Sequence, residues 1–134
     1  MSDKLNINLV TPDSIFLSDK VDMIVVSGVE GVFGVLKAHS PLISMLQPGV
    51  LEIHKSSKDI RKIFVVGGYA EVNSDNCTIL AEELVNLDDL NREDLEDQII
   101  RIEHDIISVD SNTEVKYLER KLRATRAKLK VVAS

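Results

Sequence analysis

The chain has 134 residues, of which 44% are hydrophobic and 28% charged, and a formal net charge of −6. That length holds one domain, or one small domain with an appendage, and the composition is globular rather than disordered. The acidic balance argues against general nucleic-acid binding. No apolar stretch approaches the ~20 residues of a membrane-spanning helix, so any membrane association is expected to run through a protein partner.

From the start, Met1-Ser2-Asp3-Lys4-Leu5 carries no signal-peptide or arginine-rich presequence pattern. Leu5, Ile7 and Leu9 then alternate with polar residues, the period of a half-buried strand. Val21–Val26 and Ile60–Val66 are more nearly continuous, as expected where both faces of a strand are covered. Leu51 and Ile53 alternate again, as do Ala70 and Val72 against Tyr69, Glu71 and Asn73. Turn signals punctuate these runs at Pro12-Asp13, Gly28, Pro41, Pro48-Gly49, Ser56-Ser57, Gly67-Gly68 and Asn73-Ser74-Asp75-Asn76. The spacing predicts about nine or ten short strands in a sandwich or flattened barrel. No helical crossover fits between them, so the sheets are expected to be antiparallel. With no tryptophan and 4% aromatic residues, the core must come from Val, Ile and Leu. The single Cys77 sits in the apolar run Cys77-Thr78-Ile79-Leu80-Ala81 and reads as a small buried hydrophobe. A reducing cytosol is its natural compartment.

From Leu87 the period lengthens. Leu95, Ile99, Ile102 and Ile106 step by four, three and four. Val115, Leu118, Leu122 and Leu129 continue the step, with Thr125 filling one slot. This is the apolar stripe of two amphipathic helices, each of roughly 16–18 residues. The break falls at Ser108–Thr113, and Ser111 followed by Glu114 has the capping-box spacing that starts a helix. A short connection makes the pair an antiparallel hairpin, expected to be able to dock on the sandwich. The expected domains are therefore residues 1–86, a β-sandwich, and 87–134, a helical hairpin. The two helices differ in sign: residues 87–110 hold nine acids and two bases, residues 111–134 seven bases and two acids. Helix dipoles and opposite charge across the hairpin account for most of this. Five bases between Arg120 and Lys128 exceed what capping needs, and suit an acidic partner.

Constellations for chemistry are wanting. Gly28, Gly31 and Gly34 follow neither the dinucleotide nor the phosphate-loop pattern and read as turn glycines. His39-Ser40 are adjacent and precede Pro41, so they do not form a nucleophile and base; His39 reads as a turn or interface histidine bonded to backbone. His39, His54 and His104 lie on separate elements without ligand spacing, so no metal site is expected. The helical carboxylates lie on a solvated face, with no pocket to shift their pKa values. No catalytic residue is expected.

Three segments carry a family resemblance. Glu30-Gly31-Val32-Phe33-Gly34-Val35-Leu36, His39-Ser40-Pro41-Leu42-Ile43 and Pro48-Gly49-Val50-Leu51 follow one another in order. Val66-Gly67-Gly68-Tyr69-Ala70-Glu71-Val72 and Thr78-Ile79-Leu80-Ala81 complete the set. The chain resembles the epsilon subunit of bacterial F-type ATP synthases over nearly its whole length, departing at Ser27, where the family usually has proline. The resemblance implies an all-β N-terminal domain plus an all-α C-terminal hairpin: a ten-stranded antiparallel β-sandwich followed by two antiparallel helices. It implies a non-catalytic rotor subunit that couples c-ring rotation, through gamma, to ATP synthesis in the αβ head. The partners it implies are gamma, the c-ring and the α and β subunits. The place is the cytoplasmic side of a bacterial inner membrane, held peripherally through the complex.

The same resemblance implies a ring- or gamma-facing turn made of Glu30, Gly31, Val32 and Phe33, with His39 near it; Val32 and Phe33 would suit such an interface if exposed, and read equally as inward strand residues. It implies that the hairpin inhibits ATP hydrolysis by extending into the head, where Arg120, Lys121, Arg123 and Arg126 would meet an acidic segment of the β subunits. Some members bind ATP through Ile/Leu-Asp-x-x-Arg-Ala. The equivalent here is Leu87-Asp88-Asp89-Leu90-Asn91-Arg92, which keeps Asp88 but has Asn91 for the arginine and Arg92 for the small residue. One residue of shift turns a helical side chain by ~100°, which argues against ATP sensing and leaves no cofactor expected. The rival reading is a free-standing β-sandwich ligand-binding module braced by its helices, which would be monomeric with a large apolar pocket.

Overall fold

The computed structural model describes residues 4–133; residues 1–3 of the opening stretch lie outside it. Ten strands come first: β1 Leu5–Val10, β2 Ile15–Val21, β3 Met23–Gly28, β4 Gly31–Val35, β5 Leu42–Met45, β6 Gly49–His54, β7 Ile60–Val66, β8 Tyr69–Val72, β9 Asn76–Leu80 and β10 Glu83–Asn86. A 3-10 turn at Leu87–Asp89 leads to α1 Arg92–Ser108 and α2 Asn112–Ala133. The chain forms two compact units, residues 1–87 and 88–134.

The strands make two five-stranded sheets. Sheet A runs β2-β1-β9-β8-β5 and sheet B runs β10-β7-β6-β3-β4. Period-two alternation decides the inner faces. Leu5, Ile7 and Leu9 of β1, Cys77 and Ile79 of β9, and Ala70 and Val72 of β8 point inward from sheet A. Ile24, Val26, Leu51, Ile63 and Val65 answer from sheet B. These side chains are fully or almost fully buried, and the core is aliphatic, as the composition requires.

Two expectations are corrected. The sheets are not wholly antiparallel, since β1 and β9 pair in parallel, Asn6 with Asn76 through Val10 with Leu80. The connection between them needs no helix because it passes through the seven intervening strands of both sheets. The run Val21–Val26 is not one strand covered on both faces. Asp22 breaks it, leaving Val21 at the end of β2 in sheet A and Met23 at the start of β3 in sheet B.

Charged groups gather where β1 starts and β2 turns into β3. The Lys4 ammonium bonds the Asp22 carboxylate and donates to the Lys55 carbonyl, and Lys55 pairs with Asp19 at 3.3 Å. The Lys20 backbone N–H donates to Asp19 at 2.8 Å; this bond, with help from Lys55, holds the Asp19 carboxyl below the usual carboxylate range. A lowered native pKa means the unfolded chain takes up this proton first. The stabilisation is therefore whole above about pH 4 and fades as pH falls through the lowered value. Asp19→Asn is expected to cost no more than about 1 kcal/mol at pH 7, both partners being solvent-screened. That cost should shrink towards zero in melts below pH 4; a cost that grew on acidification would refute the assignment.

Further along β2, Arg61 of β7 stacks over the Phe16 ring, 5.8 Å from its centroid, and donates to Asn86 Oδ1 at 2.7 and 3.0 Å. One side chain thus ties an edge strand of sheet A to the end of β10.

In the hairpin, Asn91 caps α1 by accepting from the Asp94 N–H at 3.1 Å, and the Ser111 hydroxyl accepts from the Glu114 N–H. The helices have 17 and 22 residues, so the second is longer than expected, because no glycine or proline stops it before Ala133. Leu95 and Ile102 are buried on α1, and Ala124 and Thr125 on α2. The Thr125 hydroxyl is satisfied by donating to the Lys121 carbonyl at 2.8 Å.

Candidate interaction surface

The inner faces are closed, so function must be sought on the outer ones. Among the described residues no cluster of His, Cys, Asp or Glu could hold a metal, and no helix is long and apolar enough to cross a membrane. Cys77 is buried, and burial pushes its thiol up to about 12, so it is no nucleophile at neutral pH.

The outer face of sheet A has one unusual feature. Strand register sets Met45 of β5 opposite Tyr69 of β8, Tyr69 opposite Leu80 of β9, Leu80 opposite Val10 of β1, and Val10 opposite Ile15 of β2. Five apolar side chains, one from each strand, thus form one row across the whole sheet. At about 4.8 Å per strand the row is about 19 Å long. Its ends are open to solvent: Met45 is 59% exposed and Ile15 70%. Beyond it, Glu71, Thr78, Asn8 and Ser18 make a polar row over four strands, and only on β5, where Ile43 stands opposite Glu71, does the apolar surface extend into it.

Next to Met45 lies a groove between the outer strands β4 and β5. It has a volume of about 510 Å³ and is lined by residues 29–33 and 42–45. The turn Val29-Glu30 closes β3 onto β4, and the Val29 N–H donates to the Met45 carbonyl at 3.0 Å, stitching the two sheets together there. Gly31 follows the turn at φ +134°, where a side chain would be strained. Val29, Val32 and Ile43 project into solvent, with Ile43 72% exposed. A contiguous exposed apolar surface of this kind is a candidate docking site.

The residues expected from sequence separate as follows. Glu30, Gly31 and Val32 are exposed on the groove. Phe33 is not exposed with Val32: it is half-buried and packs on the core, because neighbours on a strand point to opposite faces. His39 is not near the turn. It lies in the loop after β4, at the far end of that strand, where the neighbouring Ala38 N–H bonds the Ser74 carbonyl of the β8–β9 turn. His39 bonds the Ser40 carbonyl through Nδ1 at 2.7 Å, and Ala38 adopts φ +68° to make the loop. On α2, Arg120, Lys121, Arg123 and Arg126 are all exposed, and Arg126 pairs with Glu103 of α1 at 2.9 Å. Lys128 is buried and does not belong to that surface. Asp88 is exposed in the 3-10 turn, while Asn91 is spent as a helix cap and Arg92 bonds Glu96 at 2.9 Å.

The apolar row was missed by sequence reading. Val10, Ile15, Met45, Tyr69 and Leu80 are each an ordinary outward residue of a half-buried strand. Only the register lines them up.

Comparison with known proteins agrees with this architecture. Residues 4–87 match the family model "ATP synthase, Delta/Epsilon chain, beta-sandwich domain". The ATP synthase epsilon chain of Rhodospirillum centenum is 42% identical, over all of this chain and 95% of that protein. That of Paramagnetospirillum magneticum is 45% identical over 69% of this chain and 70% of its own length. Among solved structures, a chain of the Euglena gracilis mitochondrial ATP synthase (OSCP, F1 and c-ring) superposes with a TM-score of 0.80 at 24% identity. It covers all of this chain and 84% of its own. A chain of the Tetrahymena thermophila central stalk and c-ring gives a TM-score of 0.67 at 17% identity over 96% of both. At those identities the structural likeness speaks to the fold.

Proposed function

Because this chain belongs to the epsilon chains of ATP synthase, we propose that its sandwich clamps to the turning part of that enzyme. The apolar row of sheet A lies against the gamma subunit and the Val29–Phe33 end faces the c-ring. As an epsilon chain it is a non-catalytic part of the central stalk; ATP chemistry belongs to other subunits of the complex. Its task is mechanical, to pass ring rotation through gamma to ATP synthesis in the αβ head. A stiff aliphatic sandwich with a broad apolar contact suits torque better than a reactive pocket would. The observation that carries the reading is the unbroken row from Met45 to Ile15. In this reading the subunit sits on the cytoplasmic side of a bacterial inner membrane, held there through the complex. Co-purification of the full chain with gamma tests it, and a chain that never associates with gamma or the ring would end it.

The hairpin has the regulatory part. Arg120, Lys121, Arg123 and Arg126 form an exposed basic face on α2, suited to an acidic segment of the β subunits, and contact there inhibits hydrolysis. Exchanging Arg120, Arg123 and Arg126 together for alanine removes three solvent-exposed charges. At up to about 1 kcal/mol each, the inhibited state should lose about 1–2 kcal/mol, roughly tenfold in its equilibrium. ATP hydrolysis by the reconstituted synthase should rise accordingly, approaching the rate measured with residues 88–134 deleted. An unchanged rate in the triple variant would remove the inhibitory role.

A further inference from the structure

We propose that Met45 is a peroxide-sensitive modification site, and that its conversion to the sulfoxide weakens docking of this subunit. The proposal rests on the reading that β5 belongs to the docking surface. Three of the described residues carry sulfur. Cys77 is buried and its thiol is held protonated. Met23 is half-buried, its Sδ lying 3.4 Å from where a Cβ on Gly34 would stand. Met45 is 59% exposed on an outer strand. It is the one sulfur among them that is both accessible and nucleophilic at neutral pH.

The step needs only hydrogen peroxide. A lone pair on Sδ attacks one peroxide oxygen, forming the S–O bond as the O–O bond breaks. The departing oxygen takes the proton of the transferred hydroxyl and leaves as water. Sulfur is oxidised by two electrons and peroxide is reduced by two. The product exchanges a flexible apolar thioether for a polar sulfoxide.

Position makes the change consequential. Met45 is the only residue shared by the apolar row, where it faces Tyr69, and the groove, where its backbone holds the Val29 turn. A sulfoxide there must lose its water when the surface is covered, and an apolar partner returns no hydrogen bond. The free subunit would be sensitive and the assembled one shielded, so oxidised copies would be discriminated against at assembly.

The test exposes the full-length chain to dilute hydrogen peroxide and maps oxygen uptake by peptide mass spectrometry. The chain is then titrated onto synthase stripped of it. Met45 should oxidise before Met23, and the oxidised chain should bind about tenfold more weakly. Met45→Leu should bind with the same affinity before and after peroxide, and methionine sulfoxide reductase should restore the wild type. Preferential oxidation of Met23, or normal binding by the sulfoxide while Ile43→Glu binds poorly, overturns the proposal and leaves the docking surface standing. Normal binding by both the sulfoxide and Ile43→Glu overturns the docking surface as well.

Discussion

Replacing Ile43 and Met45 together by glutamate is expected to weaken attachment to the rotor about 100-fold or more while leaving the sandwich folded. Both side chains are mostly in solvent, at 72% and 59% exposed, and both sit on an outer strand of sheet A. Nothing in the core depends on them, and outer strands tolerate charge. Melting should therefore shift by no more than a surface substitution does, within about 0.5–1 kcal/mol. Binding is a different matter. Covering an isoleucine or methionine stabilises a contact by about 1.5–3 kcal/mol. A buried glutamate forfeits that and adds a desolvation cost. Two such changes exceed the roughly 2.8 kcal/mol that corresponds to 100-fold. The loss should appear in titrations against synthase stripped of this chain and in ATP-driven proton pumping. Lys20→Ala, beyond the polar row of the same face, should change binding less than about threefold. Attachment of the double variant within threefold of wild type would show that the β5 end of sheet A is not the contact.

The second large effect is on folding. Gly68→Ala should destabilise the chain by about 2–5 kcal/mol, a large share of the 5–15 kcal/mol that holds a domain together. Gly67 and Gly68 turn the chain from β7 in sheet B to β8 in sheet A, at φ +68° and +90°. A Cβ on Gly68 would fall inside the Leu80 carbonyl and against the Ala81 Cα, both backbone and unable to swing aside. The cost joins left-handed strain of about 1–2 kcal/mol to overpacking of about 1–3. Gly31→Ala separates the two terms. It is strained at φ +134° but meets nothing within 4 Å, so it should cost only about 1–2 kcal/mol. Equal denaturation midpoints for the two variants would show that close backbone approach is not what Gly68 provides. Tyr69 follows immediately, so the same bend sets the position of the apolar row.

Much of the fold was legible because its signals are local. Leu5, Ile7 and Leu9 alternate because a strand shows alternate residues to core and solvent, and all three proved fully buried. The change of period near Leu87 and the Ser111–Glu114 cap were equally local, and helices stand on both sides of the cap. The order of family motifs from Glu30 to Ala81 identified the family. Position in three dimensions was another matter. His39 is three residues from Leu36 yet a strand's length from the Val29-Glu30 turn, since β4 carries the chain away from it. Phe33 faces the core although its neighbour Val32 faces water.

By itself, then, the order of residues determined the family, the strands and helices, and the buried side of strands that alternate cleanly, such as β1 and β8. Those properties depend on neighbours two to four residues apart. The tertiary structure alone decided that β1 lies parallel to β9, that Asp22 parts two sheets, and that Met45, Tyr69, Leu80, Val10 and Ile15 stand in one row. Backbone hydrogen bonds between strands are chemically alike wherever they form, so sequence does not label which strand lies beside which. That choice is made when the two inner faces close on one core, and the apolar row is its consequence on the outside.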